Sequence, residues 1–353
     1  MHILHVVGAR PNLMKVAPVM GALKHYSSVK QTLIHTGQHY DTNMSDVFFQ
    51  QLDIPAPDLN LGVGSGSHAR QTADIMTRFE SVVLERKPDM VLVYGDVNST
   101  VAAALVCSKL ETPVGHVEAG LRSRDRSMPE EVNRLVTDQL SDLLFTPSAD
   151  GNENLEREGI SPSKIHLVGN VMIDSLVRLL PVAMAQKMNG LPERYVLVTL
   201  HRAANVDDDQ TLKGILEFLL ELNGQLQVVF PVHPRTRKRI ADFGFDASQL
   251  DLREPLPYIE FLALQSRATV VVTDSGGIQE ETTYLRVPCL TLRNNTERPV
   301  TVTLGTNTLV GQNGTTLGTE LARILEGKSK QGSVPPLWDG HAGERIAEVL
   351  SRL

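Results

Sequence analysis

Short, continuous apolar runs alternate with amphipathic stretches along almost the whole chain, and this alternation constrains the fold more than any other feature. HILHVVG (2–8), QTLIHTG (31–37) and DMVLVYGD (89–96) are such runs, and each precedes a stretch whose apolar residues have helical spacing. Strands that are covered on both faces read as continuous apolar runs, whereas half-exposed strands alternate apolar and polar residues. The pattern therefore predicts an α/β protein with doubly wound parallel sheets.

The alternation comes in two sets, which predicts two domains. The first set closes with KIHLVGN (164–170), and the second opens with YVLVTLHRAAN (195–205) after a stretch rich in Gly, Pro and charge. The length of 353 residues allows two cores of ordinary size. We predict an N-terminal Rossmann-like domain over 1–170 and a C-terminal one over 171–339, with the amphipathic segment 340–353 packing back on the first domain.

Charge, hydropathy and cysteine usage narrow the class of protein. The formal net charge of −7 argues against a general nucleic-acid binder. We see no apolar run of about 18 residues, and the first residues read as a strand and not as a signal peptide, which predicts a cytoplasmic protein without a membrane span. Cys107 and Cys289 lie in apolar contexts and are predicted to be buried thiols in a reducing compartment.

Polar residues follow the predicted strands of both domains. Open parallel sheets bind ligands outside the carboxyl ends of their strands, and two such sheets facing each other would form a cleft. The shared position of these residues is therefore the main functional signal. They are Arg10, Lys15, Asp96, Asn98, Ser99, Glu118 and Arg122 in the first domain, and His201, Arg202, His233, Arg235 and Asp274 in the second.

The segment TDSGGIQEE (273–281) predicts a diphosphate site. Gly276 and Gly277 stand where a helix begins, so the backbone can approach a ligand closely, and free N–H groups and the helix dipole favour an anion there. Ser275 adds a hydroxyl donor, and Glu281 could hold a ribose diol. The alternative for the same stretch is an ordinary helix start, with Ser275 as N-cap and acids in the first turn.

Two histidines follow consecutive predicted strands, and each has an arginine close behind it. His201 and His233 could carry a proton near neutral pH, while the arginines could hold phosphate. Their spacing matches no zinc signature, and the sequence has neither GxGxxG after the first strand nor GxxxxGK[ST]. We therefore expect no metal and no nicotinamide cofactor. Asp96 and Glu130 could contact a ligand, or they could simply stabilise the start of a helix.

Nine motifs, in order from residue 7 to 299, resemble the non-hydrolysing UDP-N-acetylglucosamine 2-epimerases. Any one of them is weak, but nine in order are specific. They are VGARPNLMKVAPV, HTGQHYD, YGDVNST, HVEAGLRS, MPEEVNR, TLHRAAN, PVHPRT, TDSGGIQEE and TERP. The resemblance implies the GT-B fold, in which two Rossmann-like domains face each other across a cleft. It also implies interconversion of UDP-N-acetylglucosamine and UDP-N-acetylmannosamine without a cofactor, a role in cell-surface polysaccharide precursors, and a homodimer.

The chemistry of such a reaction agrees with the residue types. The proton on carbon 2 is not next to a carbonyl, so its removal becomes feasible only if UDP leaves carbon 1, giving a 2-acetamidoglucal. A base, a cradle for the diphosphate and an acid on the other face are then needed. Glu131 is expected to be structural, as an acid in the first turn of a helix. The catalytic residues that the resemblance implies are Asp96, Glu118, Glu130 and His201. The implied substrate contacts are Arg10, Lys15, His233, Ser275, Gly276, Gly277, Glu281 and Arg298.

The chain departs from the commonest bacterial pattern in two places. The loop LRSRDRSMPEE is shorter, as in relatives that act on modified UDP-sugars such as 2,3-diacetamido uronic acids, whereas TERP favours plain N-acetylglucosamine. In allosteric members a second substrate molecule contacts the GQHYD loop, and Asp41 stands where they use glutamine, which argues against such activation. The residues that match this second site are Gln38, His39, Arg70 and Arg202.

Four other functions stay open at this point. A GT-B glycosyltransferase would use the same Ser-Gly-Gly cradle but would leave the acids Glu118 and Glu130 unexplained. A hydrolysing epimerase would release the free sugar, and a 2-epimerase of a modified UDP-sugar would need only a different pocket. A sugar-nucleotide sensor without enzymatic activity is the fourth.

Overall fold

The computed structural model describes two compact units. The described residues are 1–38, 49, 51–188, 190–242, 244–312 and 314–353. The first unit consists of Met1–Val177 with Pro336–Leu353, and the second of Arg178–Pro335. The predicted boundary at 170 lies just before a helix, Val171–Met184, that belongs in part to each unit.

Strands and helices alternate through the described residues. The strands are β1 (His2–Val7), β2 (Lys30–His35), β3 (Leu59–Asn60), β4 (Met90–Tyr94), β5 (Val114–Val117), β6 (Leu143–Thr146), β7 (Ile165–Leu167), β8 (Tyr195–Thr199), β9 (Gln227–Pro231), β10 (Asp251–Arg253), β11 (Val270–Thr273), β12 (Cys289–Thr291) and β13 (Asn307–Leu309). The helices are α1 (Arg10–Leu23), α2 (His68–Arg86), α3 (Asn98–Lys109), α4 (Pro129–Leu140), α5 (Ala149–Arg157), α6 (Val171–Met184), α7 (Ala203–Val206), α8 (Asp209–Asn223), α9 (Pro234–Asp242), α10 (Tyr258–Arg267), α11 (Gly276–Leu285), α12 (Pro299–Thr303), α13 (Gly314–Leu325) and α14 (Ala342–Ser351). None of these helices combines the length and the hydropathy that a membrane span requires.

The first unit is built on a parallel sheet of seven strands in the order β3-β2-β1-β4-β5-β6-β7. Its central strands β1 and β4 pair in parallel, with Ile3 opposite Met90 and Val6 opposite Val93. All five residues of β4 are buried. This is the burial that continuous apolar runs predict for a sheet covered on both faces.

The second unit is built on a parallel sheet of six strands in the order β10-β9-β8-β11-β12-β13. Alternate residues of β8 enter different cores. Val196 and Val198 pack with apolar residues of α8 and α13, while Tyr195 and Leu197 pack with those of α10 and α11. Helices therefore cover both faces, and the predicted doubly wound α/β fold with two Rossmann-like sheets is confirmed.

The C-terminal segment belongs to the first unit because it packs on α1. A side chain at Gly343 would place its Cβ 2.6 Å from the carbonyl oxygen of Pro18, so this close approach requires glycine. The backbone N–H of Gly343 donates to the Asp174 carboxylate at 2.7 Å, and Trp338 Nε1 donates to the Pro147 carbonyl at 2.9 Å. These bonds fix α14 against elements that lie far away in sequence.

Candidate active site

The carboxyl ends of β1 and β4 are tied together by one buried side chain, Asn12. Its Oδ1 accepts hydrogen bonds of 3.0 Å from two backbone N–H groups in the β1–α1 turn, and its Nδ2 donates to the Tyr94 carbonyl at 2.8 Å. One turn further along α1, the Lys15 ammonium forms an ion pair with the Glu118 carboxylate, and both side chains are almost completely buried. The fold thus brings together two residues that the sequence analysis selected separately.

Glu118 follows β5 in a backbone conformation that side chains rarely adopt. Its φ is +75°, in the left-handed region, where a non-glycine residue is strained unless its surroundings hold it. Gly120 also has a positive φ, and a Cβ there would lie 2.5 Å from the Gly151 carbonyl oxygen. A Cβ at Gly95 would lie 2.5 Å from Lys15 Nζ and 3.0 Å from Glu118 Oε2. Small residues therefore make the space in which this ion pair sits.

Asp96 is held by a second buried cation, Arg134. The Arg134 guanidinium lies 2.6 Å from Asp96 Oδ2 and 2.9 Å from Glu131 Oε2. Glu131 also accepts from the backbone N–H and hydroxyl of Ser123 and from the backbone N–H of Arg124, at 2.8–3.0 Å. Burial acts to raise the pKa of Glu131, but these bonds and the charge of Arg134 outweigh it, and its pKa is lowered.

Neighbouring acids at the start of α4 have different surroundings. Glu130 is exposed, whereas Glu131 is buried and fixes the loop that precedes the helix. The sequence predicts a structural Glu131 because acids suit a helix start. The contacts of Glu131 are those of a buried anion paired with Arg134. A catalytic role for Glu130 stays a prediction.

A buried charged cluster supports the turns around Asp96 and Glu118. His116 Nδ1 lies 2.6 Å from Asp138 Oδ1, and His116 Nε2 donates to the Gly95 carbonyl at 2.8 Å. Asp138 Oδ2 lies 2.7 Å from the Arg122 guanidinium. All three ionisable side chains are at most 1% exposed. The cluster therefore fixes the peptide immediately before Asp96.

Sequence reasoning selected Arg122 but missed the other two members of this cluster. His116 lies inside an apolar strand and Asp138 in the last turn of an amphipathic helix, so neither directly follows a strand. Burial acts to raise the pKa of Asp138, but His116 and Arg122 outweigh it, and its pKa is lowered. An ionisable residue inside an apolar strand, His116, is the signal that could have revealed the cluster.

In the second unit the carboxylate of Asp274 organises the residues after β8. It is fully buried and accepts hydrogen bonds from the backbone N–H groups of His201 and Arg202 and from Asn205 Nδ2, the shortest at 2.9 Å. His201 Nδ1 lies 3.1 Å from Asp274 Oδ1. The sequence analysis noted Asp274 as a strand-end acid without assigning it a role.

Helix α11 begins at Gly276, directly after Ser275, and Gly277 is its second residue. Ser275 holds the N-cap position, but its side chain makes no capping bond among the described residues, which disfavours the N-cap alternative. A Cβ at Gly276 would lie 2.4 Å from Arg298 Nη1 and 2.5 Å from Glu297 Oε1. A larger residue here would have to displace the Arg298 and Glu297 side chains, which favours glycine independently of any ligand.

Two of the cations predicted to contact substrate are buried in ion pairs. Lys15 pairs with Glu118, and Arg298 Nε lies 2.9 Å from Glu280 Oε1. Two other residues that are predicted to contact substrate are more exposed to solvent. Arg10 is partly buried at the first position of α1, and His233 is exposed just before α9.

Glu281 is buried within α11, and only 2% of its surface is exposed. The Tyr258 hydroxyl donates to its Oε1 at 2.9 Å. Burial raises the pKa of Glu281 to about 7, although hydrogen bonds from Tyr258 and Gln265 act in the opposite direction. The predicted bond from this carboxylate to a ribose stays a prediction.

The candidate second site is described only in part, because His39 and Asp41 lie outside the described residues. Gln38 is buried, and its Oε1 accepts from the backbone N–H of Ser99 at 3.1 Å and from its hydroxyl at 2.8 Å. Arg70 is exposed on α2. Gln38 therefore has a structural role at the start of α3, and its contact with a second substrate molecule stays a prediction.

Comparison with known proteins places this geometry in a family. A family model for UDP-N-acetylglucosamine 2-epimerase matches residues 21–351. The UDP-N-acetylglucosamine 2-epimerase of Methanocaldococcus jannaschii is 43% identical over 360 residues, covering 98% of each chain. A UDP-2,3-diacetamido-2,3-dideoxy-D-glucuronate 2-epimerase of Pseudomonas aeruginosa is 42% identical over 356 residues, covering 100% of both. The crystal structure of the M. jannaschii enzyme in complex with UDP-GlcNAc and UDP matches with a TM-score of 0.93 at 42% identity, covering 100% of both chains. The chain belongs to the UDP-N-acetylglucosamine 2-epimerase family.

Proposed function

We propose that this chain interconverts UDP-N-acetylglucosamine and UDP-N-acetylmannosamine, by elimination of UDP and its re-addition to a 2-acetamidoglucal. The observation that carries the proposal is the division of chemistry between the two sheets. Carboxylates that are fixed by buried cations stand at the strand ends of the first unit, whereas histidines, arginines and a helix start stand at those of the second.

In the elimination step the C2–H and C1–O bonds break and a C1–C2 double bond forms. The proton passes to a carboxylate, and the bonding electrons of C1–O leave with UDP. Asp96, Glu118 and Glu130 are the candidates for this base, and a second group must return a proton to the other face of carbon 2. The departing diphosphate would be stabilised by His201 and by the backbone N–H groups at the start of α11.

Incubation with UDP-N-acetylglucosamine in heavy water tests the proposal. We expect deuterium at carbon 2 of both epimers, with UDP still attached to the sugar at equilibrium. A glycosyltransferase or a binding protein would incorporate no deuterium, and a hydrolysing epimerase would release free N-acetylmannosamine. Each of these outcomes would contradict the proposal.

A second candidate substrate is a UDP-linked 2,3-diacetamido uronic acid. The P. aeruginosa relative named for that sugar is 42% identical, almost the same as the 43% of the M. jannaschii relative. Two arginines, Arg124 and Arg126, are exposed in the short loop before α4, where they are open to an anionic group. Deuterium incorporation measured with both sugars under the same conditions separates the candidates. The homodimer, the cytoplasmic location and the polysaccharide role stay predictions from the sequence.

A further inference from the structure

His201 is a predicted catalytic residue with an exposed side chain. Its side chain is 52% exposed, so packing alone does not select one orientation of the ring. The contact that fixes the ring is the one between Nδ1 and Asp274 Oδ1, at 3.1 Å. Asp274 directly follows β11 and is fully buried, so its side chain cannot reorient as the His201 ring can.

Asp274 has hydrogen-bond partners besides the His201 ring. A buried carboxylate is costly unless it is paired or hydrogen-bonded. Here two backbone N–H groups and Asn205 Nδ2 already donate to it, at 2.9–3.2 Å. Burial acts to raise the pKa of Asp274, but the bonds from His201, Arg202 and Asn205 outweigh it, and its pKa is lowered. Asp274 is therefore an immobile acceptor that the backbone N–H groups hold in place beside the imidazole.

We propose that Asp274 is a positioning residue that holds the His201 ring in the tautomer with the proton on Nδ1, leaving Nε2 to exchange a proton with substrate. A carboxylate can only accept, so the nitrogen that faces it must carry the proton. The role of Nε2 rests on the proposed function; the ring orientation and tautomer do not.

The same carboxylate connects the two parts of the predicted diphosphate site. It is followed at once by Ser275 and by the first residue of α11, and it also accepts from the backbone of 201–202. The imidazole and the helix start therefore share one rigid support. Groups that orient a metal-ligating histidine in this way contribute typically about 10–100-fold to affinity or activity, and we expect an effect of that order for the ring of His201.

The first test is spectroscopic and needs no substrate. Nitrogen NMR of the histidine rings in the full chain, with the His201 signals assigned by their loss in His201→Asn, reports which ring nitrogen carries the proton. We expect Nδ1 in the neutral ring, which is the less common tautomer of a free imidazole side chain in water. A neutral ring protonated on Nε2 in the wild type would overturn the proposal.

The second test is kinetic and uses Asp274→Asn, whose side-chain oxygen can still accept from the backbone N–H groups. We expect kcat to fall roughly 10–100-fold with KM for UDP-N-acetylglucosamine within about threefold, together with a loss of the Nδ1-protonated tautomer. Asp208→Asn is the matched control, because Asp208 is an exposed carboxylate that caps α8 through Thr211, and it should change neither readout.

The outcomes separate this proposal from the proposed function. If the chain shows no epimerase activity, or if His201→Asn is as active as wild type, the proton-transfer role assigned to His201 is wrong. The tautomer of the His201 ring still shows whether Asp274 orients it. A changed tautomer with an unchanged kcat in Asp274→Asn would overturn the positioning role. If Asp274→Asn does not fold, the tautomer of the wild-type ring decides.

Discussion

The predicted site residues have different surroundings in the two units. In the first, the acids Glu118 and Glu131 are buried, and each is bonded to a buried cation. In the second, His201 is half exposed, His233 is exposed, and the buried acid Glu281 is bonded by the hydroxyl of Tyr258. Glu118 and Glu131 are therefore paired before any ligand arrives, whereas the second unit has buried ion pairs of its own but presents its predicted histidines to the solvent.

This difference matches what the two halves of the proposed reaction need. Proton transfer at carbon 2 requires a carboxylate that is ionised and held in one place, and buried ion pairs provide both. Binding a diphosphate requires donors that the anion can reach, so exposed imidazoles and an open helix start are suited to it. Breaking the buried ion pairs of the first unit should abolish activity or folding. Changes to the predicted site residues of the second unit should alter diphosphate binding and the pH dependence of stability.

The largest effect is expected from replacing the predicted base. Glu118→Gln and Glu130→Gln remove an ionisable group but keep its size, and a positioned acid or base contributes typically about 10²–10⁴-fold to rate. We expect losses of that size in deuterium exchange, with UDP binding by calorimetry retained. Glu153→Gln, an exposed acid on α5, is the control and should be fully active. Mild losses in both variants would mean that these acids are structural.

Next in size is the effect of removing the cation that holds Asp96 and Glu131. Arg134→Met keeps most of the side-chain volume but leaves the Glu131 carboxylate buried without its partner, which costs typically about 3–5 kcal/mol of stability. Arg157→Met removes a pair with Glu153 that is more than half exposed on both sides and should cost about 1 kcal/mol or less. Urea unfolding of both variants measures the difference.

Equal stability of the two arginine variants would contradict the comparison between buried and exposed charge. Replacing Glu131 with Gln gives an independent check, because it leaves Arg134 buried with only Asp96 as counter-charge. We expect this variant to be destabilised by much more than the few tenths to 1 kcal/mol of an acid at a helix start. A loss of stability within that small range would support the simpler interpretation that Glu131 acts only as an acid in the first turn of a helix.

The fold was predictable because continuous apolar runs specify buried parallel strands without reference to the rest of the chain. The strands that the sequence missed are β3 and β10, which have two and three residues and include polar Asn60, Asp251 and Arg253. They lie at sheet edges, where the apolar pattern is weak.

The candidate site was predictable only at strand ends. The pattern around Pro129 indicates a helix start, but nothing in it shows that the backbone of 123–124 folds over Glu131. The need for glycine at 276 was assigned to a ligand, whereas the neighbouring Arg298 and Glu297 side chains occupy that space. Both contacts join residues that are separated in sequence, so the local spacing of residue types does not predict them.

The smallest predicted effect concerns Glu281, and it is a pH dependence. The carboxyl is buried, and its pKa in the folded chain is about 7, compared with about 4.5 for an ordinary glutamate. The folded state therefore keeps a proton that the unfolded state loses between these values. Its contribution to stability is fully present below about pH 4.5 and is lost as the pH rises through about 7.

Glu281→Gln should therefore behave as the permanently protonated form. We expect it to match wild type at pH 5 and to be more stable at pH 8, by on the order of 1–3 kcal/mol, because one pKa unit corresponds to about 1.4 kcal/mol. Urea unfolding at both pH values measures this, and Glu260→Gln, an exposed acid on α10, should show the same difference from wild type at each pH. If Glu281→Gln is instead less stable than wild type at pH 8, the carboxylate is ionised and favourably bonded in the folded chain. Glu281 would then be a charged acid with compensating bonds, like Glu118 and Glu131, and this contrast between the two units would disappear.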